Sequence, residues 1–136
     1  MEITVSKQTG RVDVTVLGLK GELDGQTYQM LIDRAKELYA SGARDFLLDM
    51  SELTYVSSAG LVAMHTVALL LRGDTALETD DGWASMKSAK KVSGGEMQEH
   101  LKLLHPRPEV RSVLEMVGFD RVFETHSNLD EAVKSF

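Results

Sequence analysis

The sequence predicts an α/β fold in which a mixed sheet, made of an N-terminal hairpin and later parallel strands, is flanked by about four helices. The start of the chain alternates apolar and polar residues on both sides of a Gln8-Thr9-Gly10 turn, as a β-hairpin does. The rest alternates apolar stripes at helical spacing with short apolar runs. A length of 136 residues indicates a single domain over 1–136.

The hairpin strands are expected at residues 3–5 and 12–17, and residues 18–25 are expected to be turn-rich. An apolar stripe then predicts the first helix. Asp24 is expected to cap its start, and Gly42 to supply the left-handed residue that ends it. The stripe consists of Tyr28, Leu31, Ile32, Ala35, Leu38 and Tyr39.

The apolar run at residues 46–48 is typical of a central strand that is covered on both faces. A short loop over residues 50–56 is expected to follow it. The next helix, from Ser58 to about Arg72, is apolar nearly all round, so one face must pack on the sheet. The other face is interpreted first as more core; the alternative is a partly exposed apolar patch for a partner.

Residues 73–97 interrupt this pattern and are interpreted as an insertion, of which residues 73 to about 90 are expected to be mobile or loosely packed. The segment begins acidic, contains Trp83 and ends basic. Trp83 is expected to attach the insertion to the body of the domain.

The C-terminal third is expected to hold a strand at 101–104, a helix at 108–117 and a short strand at 122–123. Pro108 marks the start of that helix and Gly118 its end. Residues 127–131 resemble a capping box that opens a terminal helix.

Composition excludes several classes of function. A net charge of -6 argues against nucleic acid as the main partner. The chain has no cysteine, so thiolate catalysis and disulfides are excluded. The N-terminus resembles neither a signal peptide nor an anchor, and the apolar run 61–71 is too short to insert into a membrane. A cytoplasmic location is therefore expected.

The residues that could carry catalysis lack the required context. Ser58 is not preceded by the glycine of a hydrolase elbow. Asp49 ends a predicted strand but lacks the acidic pair and the lysine of a phospho-aspartate receiver, so it is expected to orient the segment after it. The four histidines show no metal-ligand spacing and are interpreted as surface or helix residues, and there is no phosphate-binding loop. We therefore expect neither an enzyme nor a cofactor or metal site.

Two hydroxyls stand where the second helix begins. Ser57 is expected to be the N-cap, a role that serine commonly takes. Ser58 is harder to explain by capping, and a phosphate there would meet free backbone N–H groups and the positive end of the helix dipole. Small residues around both serines leave room for another chain to approach.

Three motifs in the correct order identify a family resemblance. Residues 49–61, Asp-x-Ser-x-Leu-x-Tyr-Val-Ser-Ser-Ala-Gly-Leu, resemble the signature of STAS domains, the anti-sigma factor antagonist family. Residues 21–24, Gly-Glu-Leu-Asp, resemble the family's Gly-x-Leu-Asp motif, and residues 108–123 resemble its C-terminal helix and strand. The resemblance covers nearly all of the chain except residues 73–99.

The resemblance implies regulation of transcription by partner switching. The unphosphorylated protein would bind an anti-sigma factor that is also a serine kinase, phosphorylation would release it, and a phosphatase would reverse the modification. The family's phosphoserine falls on Ser58, its preceding Asp on Ser57 and its second hydroxyl residue on Ala59. The partner-binding residues expected from this match are Asp24, Ser57, Ser58, Ala59, Gly60 and Leu61.

Two alternatives remain at this point. One is a STAS domain that serves as a non-switching interaction module, in a stressosome-like assembly or beside a transporter. The other is a phospho-aspartate receiver that uses Asp49. A monomer is expected, and a dimer is compatible with the sequence.

Overall fold

The computed structural model describes residues 1–72 and 97–136. The predicted insertion at 73–97, with Trp83, therefore lies outside the described residues except for Met97. The strands are β1 (Glu2–Thr9), β2 (Asp13–Leu23), β3 (Phe46–Val56), β4 (Leu101–Leu104) and β5 (Thr125–His126); the helices are α1 (Tyr28–Ala40), α2 (Ser58–Leu71), α3 (Pro108–Met116) and α4 (Leu129–Lys134).

The sheet has five strands in the order β1-β2-β3-β4-β5. The β1–β2 hairpin is antiparallel, and β2 to β5 pair in parallel. Helices α1, α2 and α3 cover one face through the larger core, and the terminal helix α4 covers part of the other face through a smaller core. This arrangement confirms the predicted mixed sheet and its flanking helices.

Strands β1, β2 and β3 are all longer than predicted. The expected turn at Gln8-Thr9-Gly10 is wrong, because Gln8 and Thr9 pair with Val14 and Asp13 and the turn follows at residues 10–12. The expected turn region at 18–25 is wrong because β2 continues to Leu23, and the expected loop at 50–56 is wrong because β3 continues to Val56. The physical reason is that β3 does not keep a two-residue period. Its buried residues Met50, Leu53 and Val56 recur at every third position, with two exposed residues between each pair.

Two bulges produce that spacing. Gly18 pairs with Asp49 and Lys20 with Glu52, so β3 holds one more residue than β2 between the two pairs. A second extra residue, Thr54, separates the partners of Gly21 and Glu22. A bulge adds a residue to one strand only and changes which face the following side chains occupy.

The turn before α1 differs from the prediction. The N-cap is Thr27, without a side-chain capping bond, so the expected capping of α1 by Asp24 is wrong. The Asp24 carboxylate instead accepts hydrogen bonds from the backbone N–H groups of Gln26 and Thr27, at 2.9 and 3.2 Å. It stabilises the turn that leads into the helix.

The end of α1 confirms the role of Gly42, which has a φ of 111°. The N–H of Gly42 donates to the carbonyl of Tyr39, and the N–H of Ala43 donates to the carbonyl of Leu38. This pair of bonds is a Schellman ending, for which glycine is the preferred residue.

Near the C-terminus, the strand expected at 122–123 is wrong. A 3-10 turn at Phe119–Arg121 brings Val122 and Phe123 into the larger core, and the last strand is Thr125–His126. Two consecutive buried residues are typical of such a turn rather than of an alternating strand. The predicted cap of the terminal helix is confirmed, because the Asn128 side chain accepts a hydrogen bond from the N–H of Glu131 at 3.0 Å.

Helix α2 is the central helix of the domain. Ser58 is exposed; Ala59, Val62 and Leu70 are half-buried; the other residues of the helix are buried. Most of the second face is core, as expected, while Ala59, Val62 and Leu70 share one stripe and are half-buried, so the alternative of a partly exposed apolar patch stays a prediction. Because most residues of α2 are buried, the core fixes the position of its first turn and of the residues at its start.

Candidate functional site

The candidate site lies where β2 and β3 end side by side and α2 begins. Leu23 pairs with Val56, and the N–H of Ser57 donates to the carbonyl of Leu23 at 2.9 Å. The next residues along both strands, Asp24 and Ser57, therefore emerge at the same edge of the sheet. We call the group formed by Asp24, Tyr55, Ser57, Ser58 and Ala59 the carboxyl edge.

The two serines of this edge have different positions in the helix. Ser57 is the N-cap, with extended backbone angles, and its hydroxyl accepts a hydrogen bond from the N–H of Gly60 at 3.4 Å. Ser58 is the first helical residue and its side chain is exposed. The capping role predicted for Ser57 is confirmed, and Ser58 lies beside the partial positive charge of the helix N-terminus.

Gly60 and Leu61 lie beneath the carboxyl edge. Both are buried, and a Cβ atom at Gly60 would come within 2.6 Å of the carbonyl oxygen of Leu23. Gly60 thus allows α2 to approach the end of β2, and Leu61 belongs to the core. Of the residues expected to contact a partner, Ser58 is exposed, and Asp24, Ser57 and Ala59 are half-buried.

Asp24 is fixed by its own turn. The backbone N–H of Thr27 donates to the Asp24 carboxylate at 3.2 Å. The Thr27 hydroxyl lies 3.2 Å from the same carboxylate oxygen and has its shorter contact, 2.7 Å, with the carbonyl of Glu22, which accepts its single proton. Glu22 and Glu52 are exposed on the strands that lead to the edge. Glu22 pairs with Tyr55 of the carboxyl edge, whereas Glu52 pairs with Lys20, an exposed basic residue.

The sequence analysis missed Tyr55 as a surface residue. Its side chain is 51% exposed at the end of β3, next to Val56 and the capping serine. Residues 50–56 lack the two-residue alternation of a regular strand, so their pattern does not predict that β3 continues to Tyr55. The three-residue recurrence of apolar side chains was the signal that could have identified a bulged strand.

Asp49 does not occupy a receiver-like position. It pairs with Gly18 on one side and Leu104 on the other, in the middle of β3 rather than at its end. Its carboxylate accepts a hydrogen bond from the N–H of Ser51 at 3.0 Å. This contact agrees with the expected role of Asp49 in orienting the residues that follow.

The histidines are dispersed. His65 is buried in α2, His100 contacts Asp45 through Nδ1 at 2.7 Å, and His126 contacts Glu124 through Nε2 at 2.7 Å. Within residues 1–72 and 97–136, no three histidine or acidic side chains are grouped so that they could hold a metal ion.

A separate polar cluster fastens the terminal helix. The buried Lys102 ammonium donates to the carbonyl and the hydroxyl of Ser135, the C-cap of α4, at 2.8 and 3.0 Å. It also forms an ion pair with Glu124 at 3.2 Å. Burial acts to raise the pKa of Glu124, but Lys102 and then His126 outweigh it, so that the pKa lies below its ordinary value.

In the described part of the chain, no helix has the length and apolar character needed to cross a bilayer.

Comparisons with known proteins agree with this fold. The family model for the STAS domain matches residues 5–74. BtrV of Bordetella bronchiseptica, named as an anti-sigma factor antagonist, is 26% identical over 136 residues, which are 100% of this chain and 95% of BtrV. The match to the family model includes β2, β3, α2 and the whole carboxyl edge.

Solved structures share the architecture. An anti-sigma factor antagonist from Mycobacterium paratuberculosis superposes with a TM-score of 0.62 at 18% identity, covering 98% of this chain and 93% of that one. The Bacillus cell fate determinant SpoIIAA in its phosphorylated form gives a TM-score of 0.53 at 18% identity, covering 97% and 96% of the two chains. The family match and the common fold lead to one conclusion: the chain belongs to the STAS domain family.

Proposed function

We propose that this chain is an anti-sigma factor antagonist that works by partner switching at Ser58. Unmodified, it binds an anti-sigma factor that is also a serine kinase; phosphorylated on Ser58, it is released, and a phosphatase restores it. The proposal depends on one observation, which is that the two neighbouring serines have different structural roles. Ser57 forms the capping bond, while Ser58 is exposed in the first turn of a rigid helix.

The physical effect of the phosphate is local. It adds roughly -1.5 to -2 charges at neutral pH. At a helix N-terminus this charge is favourable, so α2 keeps its conformation. Within a contact surface, the same hydrated anion would have to lose water without a matched partner, and a penalty of about 3–4 kcal/mol weakens binding a few hundredfold.

The proposal places the protein in the cytoplasm as a binding partner rather than an enzyme. Its relative BtrV carries the name of an anti-sigma factor antagonist, which supports the class of partner. Asp24 belongs to the same edge as Ser58, so a phosphate on Ser58 would add negative charge to an edge that already holds a carboxyl group.

Binding and phosphorylation test the proposal directly. The probe is the purified anti-sigma factor kinase of the same organism, with its affinity for the wild-type protein, Ser58→Ala and Ser58→Asp measured by calorimetry. We expect Ser58→Ala to bind as the wild type does, and Ser58→Asp to bind at least about 100-fold more weakly. Ser6→Asp is the matched control, because Ser6 is an exposed serine on β1.

Other results would lead to the alternatives. Equal affinity of Ser58→Asp and the wild type, with no phosphate transferred to Ser58, would contradict switching and leave a non-switching STAS interaction module. An acid-labile phosphate that survives Ser58→Ala and disappears in Asp49→Asn would identify a phospho-aspartate receiver instead.

A further inference from the structure

We infer that Tyr55 is the aromatic anchor of the partner-binding surface, the side chain that inserts into a pocket of the anti-sigma factor and determines much of the affinity. The inference rests on the proposed function, because the proposed function supplies the class of partner, an anti-sigma factor. Its own evidence is the path of β3, which places this side chain outside the fold.

The second bulge of β3 determines where Tyr55 points. Leu53 pairs with Gly21 and is buried. In a regular strand the residue two positions later would occupy the same face as Leu53. The extra residue Thr54 changes this alternation, so that Tyr55 is 51% exposed and Val56 fills the core position instead.

Local contacts hold the bulge in place. The Thr54 hydroxyl donates to the carbonyl of Gly21 at 3.0 Å. Gly21 has a φ of 107°, a conformation that favours glycine. The chain thus uses a special backbone conformation and a side-chain hydrogen bond at the point where a large aromatic residue becomes exposed. Bulges next to functional sites commonly redirect a side chain in this way.

The chemistry of tyrosine suits this position. Tyrosine is enriched among the residues that dominate the energy of protein interfaces, because its ring buries a large apolar area and its hydroxyl makes one hydrogen bond. Tyr55 lies three residues before Ser58, so their Cα atoms are no more than about 11 Å apart, which is well within the width of an ordinary protein interface. The complementary site is an apolar pocket with an acceptor for the phenolic O–H.

Kinetics of Ser58 phosphorylation by the anti-sigma factor kinase separate anchoring from a structural role. We expect Tyr55→Ala to raise KM about 30-fold, while kcat stays within about twofold, because the ring contributes binding and takes no part in phosphate transfer. Tyr55→Phe should stay within about threefold of the wild-type KM, since it retains the ring. Met116→Ala is the control: Met116 is 85% exposed and lies at the end of α3.

The variants must be folded for the comparison, and circular dichroism checks this. Should Tyr55→Ala lose its fold, Tyr55→Lys replaces it, because lysine suits an exposed position and lacks an aromatic ring. An unchanged KM in a folded Tyr55 variant overturns the inference and leaves the proposed function intact. An equal rise in KM for Met116→Ala also overturns it. A wild-type protein that neither binds the kinase nor is phosphorylated contradicts the proposed function and the anchor together.

Discussion

At the scale of single residues, the proposed switch depends on the difference between two neighbouring serines. Ser57 and Ser58 have the same chemistry, but one is extended and caps the helix, and the other is helical and exposed. The cap could be predicted because it depends on neighbouring residues only. The position of the Asp24 carboxylate does not follow from the sequence, because it depends on a hydrogen-bond network of Thr27 that includes the carbonyl of Glu22.

Gly60→Ala tests the close approach of α2 to β2. The added methyl group would meet the carbonyl oxygen of Leu23 at 2.6 Å and its Cγ at 2.9 Å, and both belong to the packed core. We expect the free energy of unfolding to fall by about 2–3 kcal/mol, as in overpacked cores. Urea denaturation measures it.

Gly25→Ala is the matched control for this substitution, since a Cβ atom there meets nothing within 4 Å. It should change the free energy of unfolding by less than about 0.5 kcal/mol. Equal stability of the Gly60 and Gly25 variants would mean that α2 and β2 can move apart without cost.

At the scale of elements, prediction succeeded where periodicity is regular and failed where the backbone breaks it. Helix α1 was recognised from its apolar stripe, and its Schellman ending from Gly42. Only the first part of β3 is predicted from the sequence, because two bulges give the rest of the strand a three-residue recurrence that matches neither a regular strand nor a helix. The position of Tyr55 depends on pairing with β2, which local sequence does not determine.

The attachment of α4 leads to a prediction about stability and pH. Lys102→Met keeps the length of the side chain and removes the donors to Ser135 and Glu124. We expect a loss of about 1–2 kcal/mol in the free energy of unfolding at neutral pH, because the carbonyl of the half-buried Ser135 loses a charged donor. Chemical denaturation measures this loss, and Lys20→Met, at an exposed lysine of β2, is the control.

The pH dependence of this cluster has a defined sign. The folded protein holds the pKa of Glu124 below its ordinary value of 4.5, so the ionised carboxylate stabilises the fold above that pH. This contribution is lost as the pH falls through the lowered pKa. The difference in stability between the wild type and Lys102→Met should therefore shrink as the pH is lowered below 4.5. A constant difference would show that the ion pair contributes nothing.

At the scale of the whole molecule, the sheet order follows the chain order, and this is why alternating sequence patterns predicted the architecture. Pairing each strand with the next along the chain requires only a hairpin and parallel crossovers. The assignment of helices to faces was not predictable in detail, because it depends on which side of the sheet each crossover passes. The carboxyl edge and the Lys102 cluster are built from different strands.

This architecture predicts a switch that leaves the fold unchanged. In phosphorylated protein, or in Ser58→Asp, we expect the free energy of unfolding to equal that of the wild type or to exceed it by up to about 0.5 kcal/mol, because the new charge lies at the N-terminus of α2. Denaturant titration and amide chemical shifts provide the measurement. Loss of helical signal, or shifts that spread to α4, would refute a local switch.

The hydrogen bond from the N–H of Ser57 to the carbonyl of Leu23 makes the opening of the carboxyl edge measurable by hydrogen exchange. Its amide proton exchanges with solvent only when the start of α2 separates from the end of β2, so its exchange rate measures the free energy of opening at the carboxyl edge. A bound partner should slow that exchange, whereas phosphate without a partner should leave it nearly unchanged. The exchange rate of this one proton can thus distinguish protein that is bound to a partner from protein that is only phosphorylated, in a mixture of the two at equilibrium.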